Sequence, residues 1–227
     1  MNRRNSLKAG ALMLSGLMIA PNVKSATLTI SDKMDSFWDV LKNRRSVRKF
    51  KPDKVPYEHL EKIVDIARMA PTAGNQQPWK FLIIQDKNQI EKLKNEALAE
   101  TETYLKGSRK LEGEELKKSL QEAEERLTAG YLSAPAYIVV LTDQNCKYPT
   151  YASHDGPLAA GYLLLAARAM GYGTVYITDA IPEIVTQKAF NIPENFKRVC
   201  ITPVGMPVEW PTKEKKELES FIVKESF

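Results

Sequence analysis

Residues 157–170 admit few architectures. Leu158, Ala159, Tyr162, Leu163, Leu165 and Ala166 make a helix apolar on most of its faces, and such a helix belongs in the middle of a domain. Gly171-Tyr172-Gly173 ends it. The run that follows, Thr174-Val175-Tyr176-Ile177-Thr178, is β-branched and aromatic and reads as a strand. A central helix feeding directly into a strand calls for a sheet beside it.

The rest of the chain supplies that sheet and its cover. Phe81-Leu82-Ile83-Ile84 and Tyr137-Ile138-Val139-Val140-Leu141 are short apolar runs bounded by Pro78 and Pro135, as expected of buried strands. Residues 198–205 form a fourth strand pattern. Residues 35–42 predict a short helix. Pro56 opens another in which Leu60, Ile63, Val64 and Ala67 recur at helical spacing, ended by Pro71. Residues 87–130 mix both charge signs and predict two helices broken near Gly107-Ser108 and Gly113. A short helix is expected at residues 183–190. This order suits an α+β domain, with helices around one sheet. The tail from Met206 on is charged and Pro-rich, yet ends in Leu218, Phe221, Ile222 and Val223, which need something to pack on, such as a second subunit.

Charge and cysteine content narrow the function classes. The chain of 227 residues has a net charge of +5, but residues 1–26 hold Arg3, Arg4, Lys8 and Lys24 and no acid. Without those four, 29 basic residues face 28 acidic ones, a net of +1, so the domain itself has no bias toward nucleic acid. Those first residues run from a basic start through an apolar stretch, residues 9–20, to small residues at Ser25 and Ala26. That is the order of a signal peptide over residues 1–26, leaving 27–227 as one domain exported to the periplasm with no stable membrane span. Arg3-Arg4 fits a twin-arginine export signal, with an ordinary Sec signal as the alternative. Cys146 and Cys200 stand alone, as buried thiols or one disulfide. With only His59 and His154, no metal site is expected.

Three separated segments carry the chemistry. Arg44-Arg45-Ser46-Val47-Arg48 offers guanidinium forks and a hydroxyl, a donor set that clamps phosphate. Pro71-Thr72-Ala73-Gly74-Asn75-Gln76-Gln77-Pro78-Trp79 combines small residues, which let backbone approach a flat ligand, with directional amides. Pro203-Val204-Gly205-Met206-Pro207 leads to Lys213, Lys215 and Lys216, cations that could complete a phosphate site. Each segment alone reads equally well as a basic face or a surface turn.

Jointly, and in this order, they resemble the nitroreductase-like flavoproteins. That family shows Arg-Arg-Ser-x-Arg early, Pro-Ser/Thr-x-x-Asn-x-Gln-Pro-Trp next, then a long apolar helix, a Gly-x-Gly strand entry and a Val-Gly-x-Pro turn before terminal cations. The resemblance covers residues 35–227. It implies a mostly antiparallel central sheet flanked by helices, an intertwined homodimer, and FMN as cofactor. Arg44, Arg45 and Ser46 would hold the FMN phosphate and ribityl chain, and Arg48 would sit near the pyrimidine edge. Lys215 falls where the family has a phosphate-binding arginine, and Lys213 would assist it. Pro71, Thr72, Ala73 and Asn75 match the segment that reaches the flavin from the partner subunit, while Tyr176, Ile177 and Thr178 match the strand end flanking the ring. The implied reaction is ping-pong: NAD(P)H or another donor passes hydride to flavin N5, and a nitroaromatic, quinone or similar small aromatic acceptor then takes the electrons. The cofactor carries that chemistry, so no catalytic side chain is assigned.

The arginine segment also resembles the iodotyrosine deiodinase branch, which grips a halotyrosine zwitterion with a Glu-x-x-x-Tyr pair and a later Lys. Glu100 and Tyr104 have that spacing, but Thr128 stands where the Lys is expected. Reductive dehalogenation of halotyrosine-like substrates is therefore the alternative reading, and an exported anion-binding module the non-enzymatic one. No GxGxxG follows a strand and no P-loop is present, which leaves a Rossmann dehydrogenase without support.

Overall fold

The computed structural model describes residues 30–226, so the export signal expected at residues 1–26 lies outside the described residues. Its frame is a sheet of three antiparallel strands, β1 (Trp79–Ile84), β2 (Ala136–Asp143) and β3 (Phe196–Val204), with β2 in the middle. Trp79 pairs with Thr142 and Ile84 with Tyr137, while Ala136 pairs with Val204 and Asp143 with Phe196. From Ala136 to Thr142 every residue of β2 is buried. A strand with no exposed face must be covered on both sides, and its period-2 alternation sends successive side chains to two cores.

Tyr137, Val139 and Leu141 enter one core with Leu93, Ala97, Val185 and Ile201. It is roofed by α3 (Lys87–Gly107) and α6 (Glu183–Phe190). Ala136, Ile138 and Val140 enter the other, with Leu60 and Ile63 of α2 (Tyr57–Ala67) and Ala160 and Leu163 of α5 (Pro149–Ala169). Full burial of a side chain such as Leu60 or Leu163 stabilises by about 1.5–3 kcal/mol. The remaining helices are α1 (Ile30–Asn43) and α4 (Gly113–Arg126), which follows the break near Gly107 that the sequence predicts.

Helix α5 differs from the expectation in two ways. It starts at Pro149 and carries Pro157 inside it. Proline in a helix forfeits a hydrogen bond to the residue four earlier, and here Pro157 and Ser153 both lie on the exposed face of the helix. The helix is also less enclosed than its composition suggests, with Leu158 46% and Tyr162 40% exposed. The tail behaves alike: Leu218 and Phe221 stay about two-thirds exposed.

The strand expected at residues 174–178 is present only as isolated bridges. Gly173 pairs with Gly205 and Ile177 with Ile201, both antiparallel, on the free edge of β3. In that register Val175 falls opposite Pro203, which has no N–H to donate, so the ladder is interrupted at its middle rung. The other side of this segment binds the arginine-rich run: Ser46 bridges Thr174 in parallel, and the Val47 N–H donates to the Thr174 carbonyl at 2.9 Å. The same run is tied to the chain beyond β3 by Lys51 N–H to Met206 O, 2.8 Å, and Val208 N–H to Lys49 O, 3.1 Å. Cys146 and Cys200 are free thiols, and burial pushes that of Cys200 up to about 12.

The approach of Val47 to Gly173 is close enough to exclude any side chain. A Cβ on Gly173 would meet Val47 Cβ, Cγ1 and Cγ2 at 2.8, 2.9 and 2.9 Å, so no rotation of Val47 relieves the overlap. Gly173→Ala is expected to cost about 1–3 kcal/mol by overpacking, lowering Tm by several degrees in a thermal denaturation scan. An unchanged Tm would mean that the two segments separate freely.

Candidate functional site

Where α1 ends, the chain turns and Arg45 folds its guanidinium back, donating to the Lys42 carbonyl at 2.5 Å and the Arg44 carbonyl at 2.9 Å. A cation there caps the free carbonyls of the last turn and faces the negative end of the helix dipole. Arg45 also lines a cleft of about 700 Å³ together with Arg168, Trp210, Lys213, Glu214 and Lys215. Four cations against one carboxylate make this cleft a receptor for a dianion such as a phosphate monoester. The sequence pointed to Arg45, Lys213 and Lys215 but missed Arg168. Its guanidinium lies 4.0 Å from the centroid of the Trp210 ring, a cation–π contact. Arg44 and Ser46, half-buried neighbours in the chain, do not line the cleft.

After the Ser46–Thr174 bridge the run turns toward the chain beyond β3, where Phe50 bridges Pro207 and the Arg48 carbonyl accepts from the Ser133 hydroxyl at 3.3 Å. Arg48 is exposed, with its guanidinium 5.9 Å from the centroid of the Tyr131 ring. Ile177 is buried and fixes the segment, leaving Tyr176 and Thr178 outward. Burial pushes the Tyr176 hydroxyl up to about 12, with the neighbouring Cys200 adding to the shift. The Thr178 carbonyl accepts from Arg198 Nη2 at 2.8 Å. Burial pulls the Arg198 guanidinium below its ordinary value, and its Nε is buried without a partner among the described residues.

The third piece, residues 71–78, is a loop held from below. Asp155 of α5, 3% exposed, accepts from the Ala73 N–H at 3.0 Å and from Gln76 Nε2 at 2.7 Å. Gln76 in turn accepts from the Tyr148 N–H at 2.7 Å and donates to the Tyr148 carbonyl at 3.1 Å. Gly74, Asn75 and Gln77 have φ of 54°, 53° and 47°. At Gly74 a side chain would also strike the Tyr148 ring. Pro71 and Asn75 stand exposed at the rim, with Thr72 and Ala73 half-buried; the Thr72 hydroxyl accepts from the Gln77 N–H at 3.2 Å. Such turn-shaped backbone is kept where its surroundings over-determine it, and here Asp155 does so.

Glu100 and Tyr104 lie apart from these segments. Glu100 is half-buried on α3 and its carboxylate sits 3.4 Å from Lys188 of α6, while Tyr104 is 54% exposed. Thr128, in a π-helical turn after α4, spends its hydroxyl on the Glu124 carbonyl at 2.8 Å.

Asp155→Asn should test the loop clamp. An amide keeps one acceptor but turns a donor toward either the Ala73 N–H or Gln76 Nε2. A loss of about 1–3 kcal/mol is expected on denaturant unfolding, with faster hydrogen exchange at the Ala73 amide. Unaltered exchange there would show that the loop holds its shape without Asp155.

Comparison with known proteins identifies the family. Residues 41–206 match the model of the nitroreductase family. The chain is 33% identical over 175 residues to the iodotyrosine deiodinase of Thermotoga neapolitana, covering 77% of this chain and 90% of that protein. Among solved structures, an oxidized iodotyrosine deiodinase bound to FMN and 3-iodo-L-tyrosine matches with TM-score 0.65 and 28% identity, over 84% of this chain and 99% of the other. A nitroreductase with bound FMN from Desulfitobacterium hafniense shares the fold with TM-score 0.64 and 22% identity, over 84% and 98%. This chain belongs to the nitroreductase family and is an FMN-dependent oxidoreductase.

Proposed function

We propose that the chain is an exported homodimeric reductase that passes electrons from NAD(P)H, or another two-electron donor, to small nitroaromatic or quinone acceptors. Bound FMN supplies the two-electron chemistry. Arg45, Lys213 and Lys215 anchor its phosphate. Lysine in place of arginine at residue 215 gives a point charge rather than a bidentate fork. Arg44 and Ser46 hold the ribityl chain. Arg48 stabilises negative charge on the reduced ring, and the outward edge of Tyr176 and Thr178 flanks it. Pro71, Thr72, Ala73 and Asn75 reach the ring of a second subunit. The exposed Leu158, Tyr162, Leu218 and Phe221 offer the apolar surface for that pairing.

The observation that carries this reading over dehalogenation is the Glu100–Lys188 ion pair. A carboxylate already paired is poorly placed to grip an ammonium, and Thr128 brings no cation for a carboxylate. The second reading, reductive dehalogenation of halotyrosine-like substrates, draws support from the 33% identical deiodinase.

Purified mature protein should be yellow and release FMN at about one per chain. It should oxidise NAD(P)H with a quinone, forming hydroquinone and NAD(P)+ with uptake of one proton, faster than it dehalogenates diiodotyrosine. The reverse order of rates would select the dehalogenase reading. A colourless protein that refuses added FMN would sink both. The Lys213→Ala/Lys215→Ala double variant alters only exposed side chains. It should weaken FMN binding by about tenfold or more through lost charge-assisted bonds, read by fluorescence titration of the apoprotein.

A further inference from the structure

One arginine of the segment between β1 and β2 has no part in the site described above. Arg126 ends α4 and lines a cavity of about 260 Å³ with Thr101, Ala123, Leu127, Tyr131 and Ala180. Its Nε donates to the Glu122 carbonyl at 3.3 Å. Among the described residues its two terminal amino groups have no protein acceptor, and it forms no ion pair. Glu115 and Glu122 line the adjoining groove between α3 and α4, but neither pairs with it. No carboxylate lines the cavity itself. Its walls are apolar at Ala123, Leu127 and Ala180, aromatic at Tyr131, and polar only at Thr101. That hydroxyl donates to the Ala97 carbonyl at 2.8 Å and keeps its lone pairs free.

Position ties this cavity to the flavin edge. Tyr131, on its wall, is the ring that faces Arg48, and Ala180 lies two residues beyond Thr178. The wall from Leu127 to Tyr131 is a π-helical turn, a departure from α-helix that recurs at functional sites.

The geometry points to Arg126 as a specificity residue that receives the carboxylate of an aromatic monoanion, a benzoate-type acceptor whose ring lies in this cavity beside the flavin. The inference rests on the proposed reductase reading and narrows its acceptor class. An unpaired guanidinium offers a planar, bidentate receptor for a carboxylate. The apolar walls suit a single ring. A zwitterion with its ring in the cavity finds no carboxylate on the cavity wall for its ammonium, and Glu100, the residue before Thr101, is engaged by Lys188.

The test uses FMN-loaded full-length mature protein and Arg126→Gln, with Arg126→Lys as the charge-retaining control. Arg126 is exposed and its removal leaves the core intact. Calorimetric titration with benzoate should show binding to the unaltered protein, weakened about tenfold or more in Arg126→Gln and less in Arg126→Lys. In turnover, kcat/KM for 4-nitrobenzoate should fall by a similar factor through KM, with nitrobenzene unchanged. The assignment is overturned if benzoate does not bind, if the variant binds it equally well, if tyrosine binds more tightly than benzoate, or if both nitro compounds lose rate alike. Should the protein reduce neither nitro compound while its benzoate affinity still depends on Arg126, the reductase reading fails and the anion pocket stands.

Discussion

Burial of β2 on both faces is the constraint from which the rest of the structure follows. Its alternating side chains serve two cores, so neither α2 and α5 on one side nor α3 and α6 on the other can be removed without exposing the strand. Both of its edges are occupied, by β1 and β3. The outer edges of β1 and β3 are left for further elements, and residues 173–177 take that of β3. The arginine-rich run then binds the outer side of that segment through Thr174. The site is therefore built at the end of a chain of pairings, on backbone that the sheet has already fixed.

That edge is deliberately incomplete. Pro203 faces Val175 and withholds a donor, so residues 173–177 are held at their two ends and unpaired at the centre. A fully laddered strand would lie flat along β3. Here the middle is freer to present Tyr176, while Ile177 below it stays buried. Arg198 adds a tether at Thr178, and its buried Nε, without a partner among the described residues, is a cost carried for holding that position.

Much of this was legible in the sequence because it is local. Periodicity exposes α2, and the glycines at 107 and 113 expose the break between α3 and α4. Short apolar runs bounded by proline expose β1 and β2, and the run at residues 198–205 exposes β3. The arginine run, the Pro71–Trp79 segment and the tail lysines are visible as residue types in order. What was not legible depends on contacts distant in sequence. The helix around Pro157 extends back to Pro149 because the proline faces water, which no local pattern declares. Asp155 looks like one more acid until it is seen buried beneath Ala73 and Gln76. Arg168 reads as a cation in the last turn of a helix, and only its placement against Trp210 brings it to the cleft. The spacing of Glu100 and Tyr104 is a helical period, and an acid-rich helix produces that pair without any shared ligand. Lys188, on another helix, decides what Glu100 does.

The placement of the tail cations shows how little core is needed to fix a binding group. Residues 212–226 are exposed throughout, so Lys213 and Lys215 cannot owe their positions to burial. What precedes them is firmer: Gly205 and Pro207 are buried, Lys51 and Lys49 bond the backbone at Met206 and Val208, and Trp210 lies under Arg168. The last of these contacts joins the tail to the C-terminal turn of α5, the helix that also carries Asp155 and so the loop at residues 71–78. A cation over an indole contributes on the order of 0.5–2 kcal/mol, small against the burial of β2 yet comparable to a single phosphate contact. One helix thus bears on two of the three segments proposed to hold the cofactor. Its register against β2 and β3, set by the core, is what keeps them in mutual position.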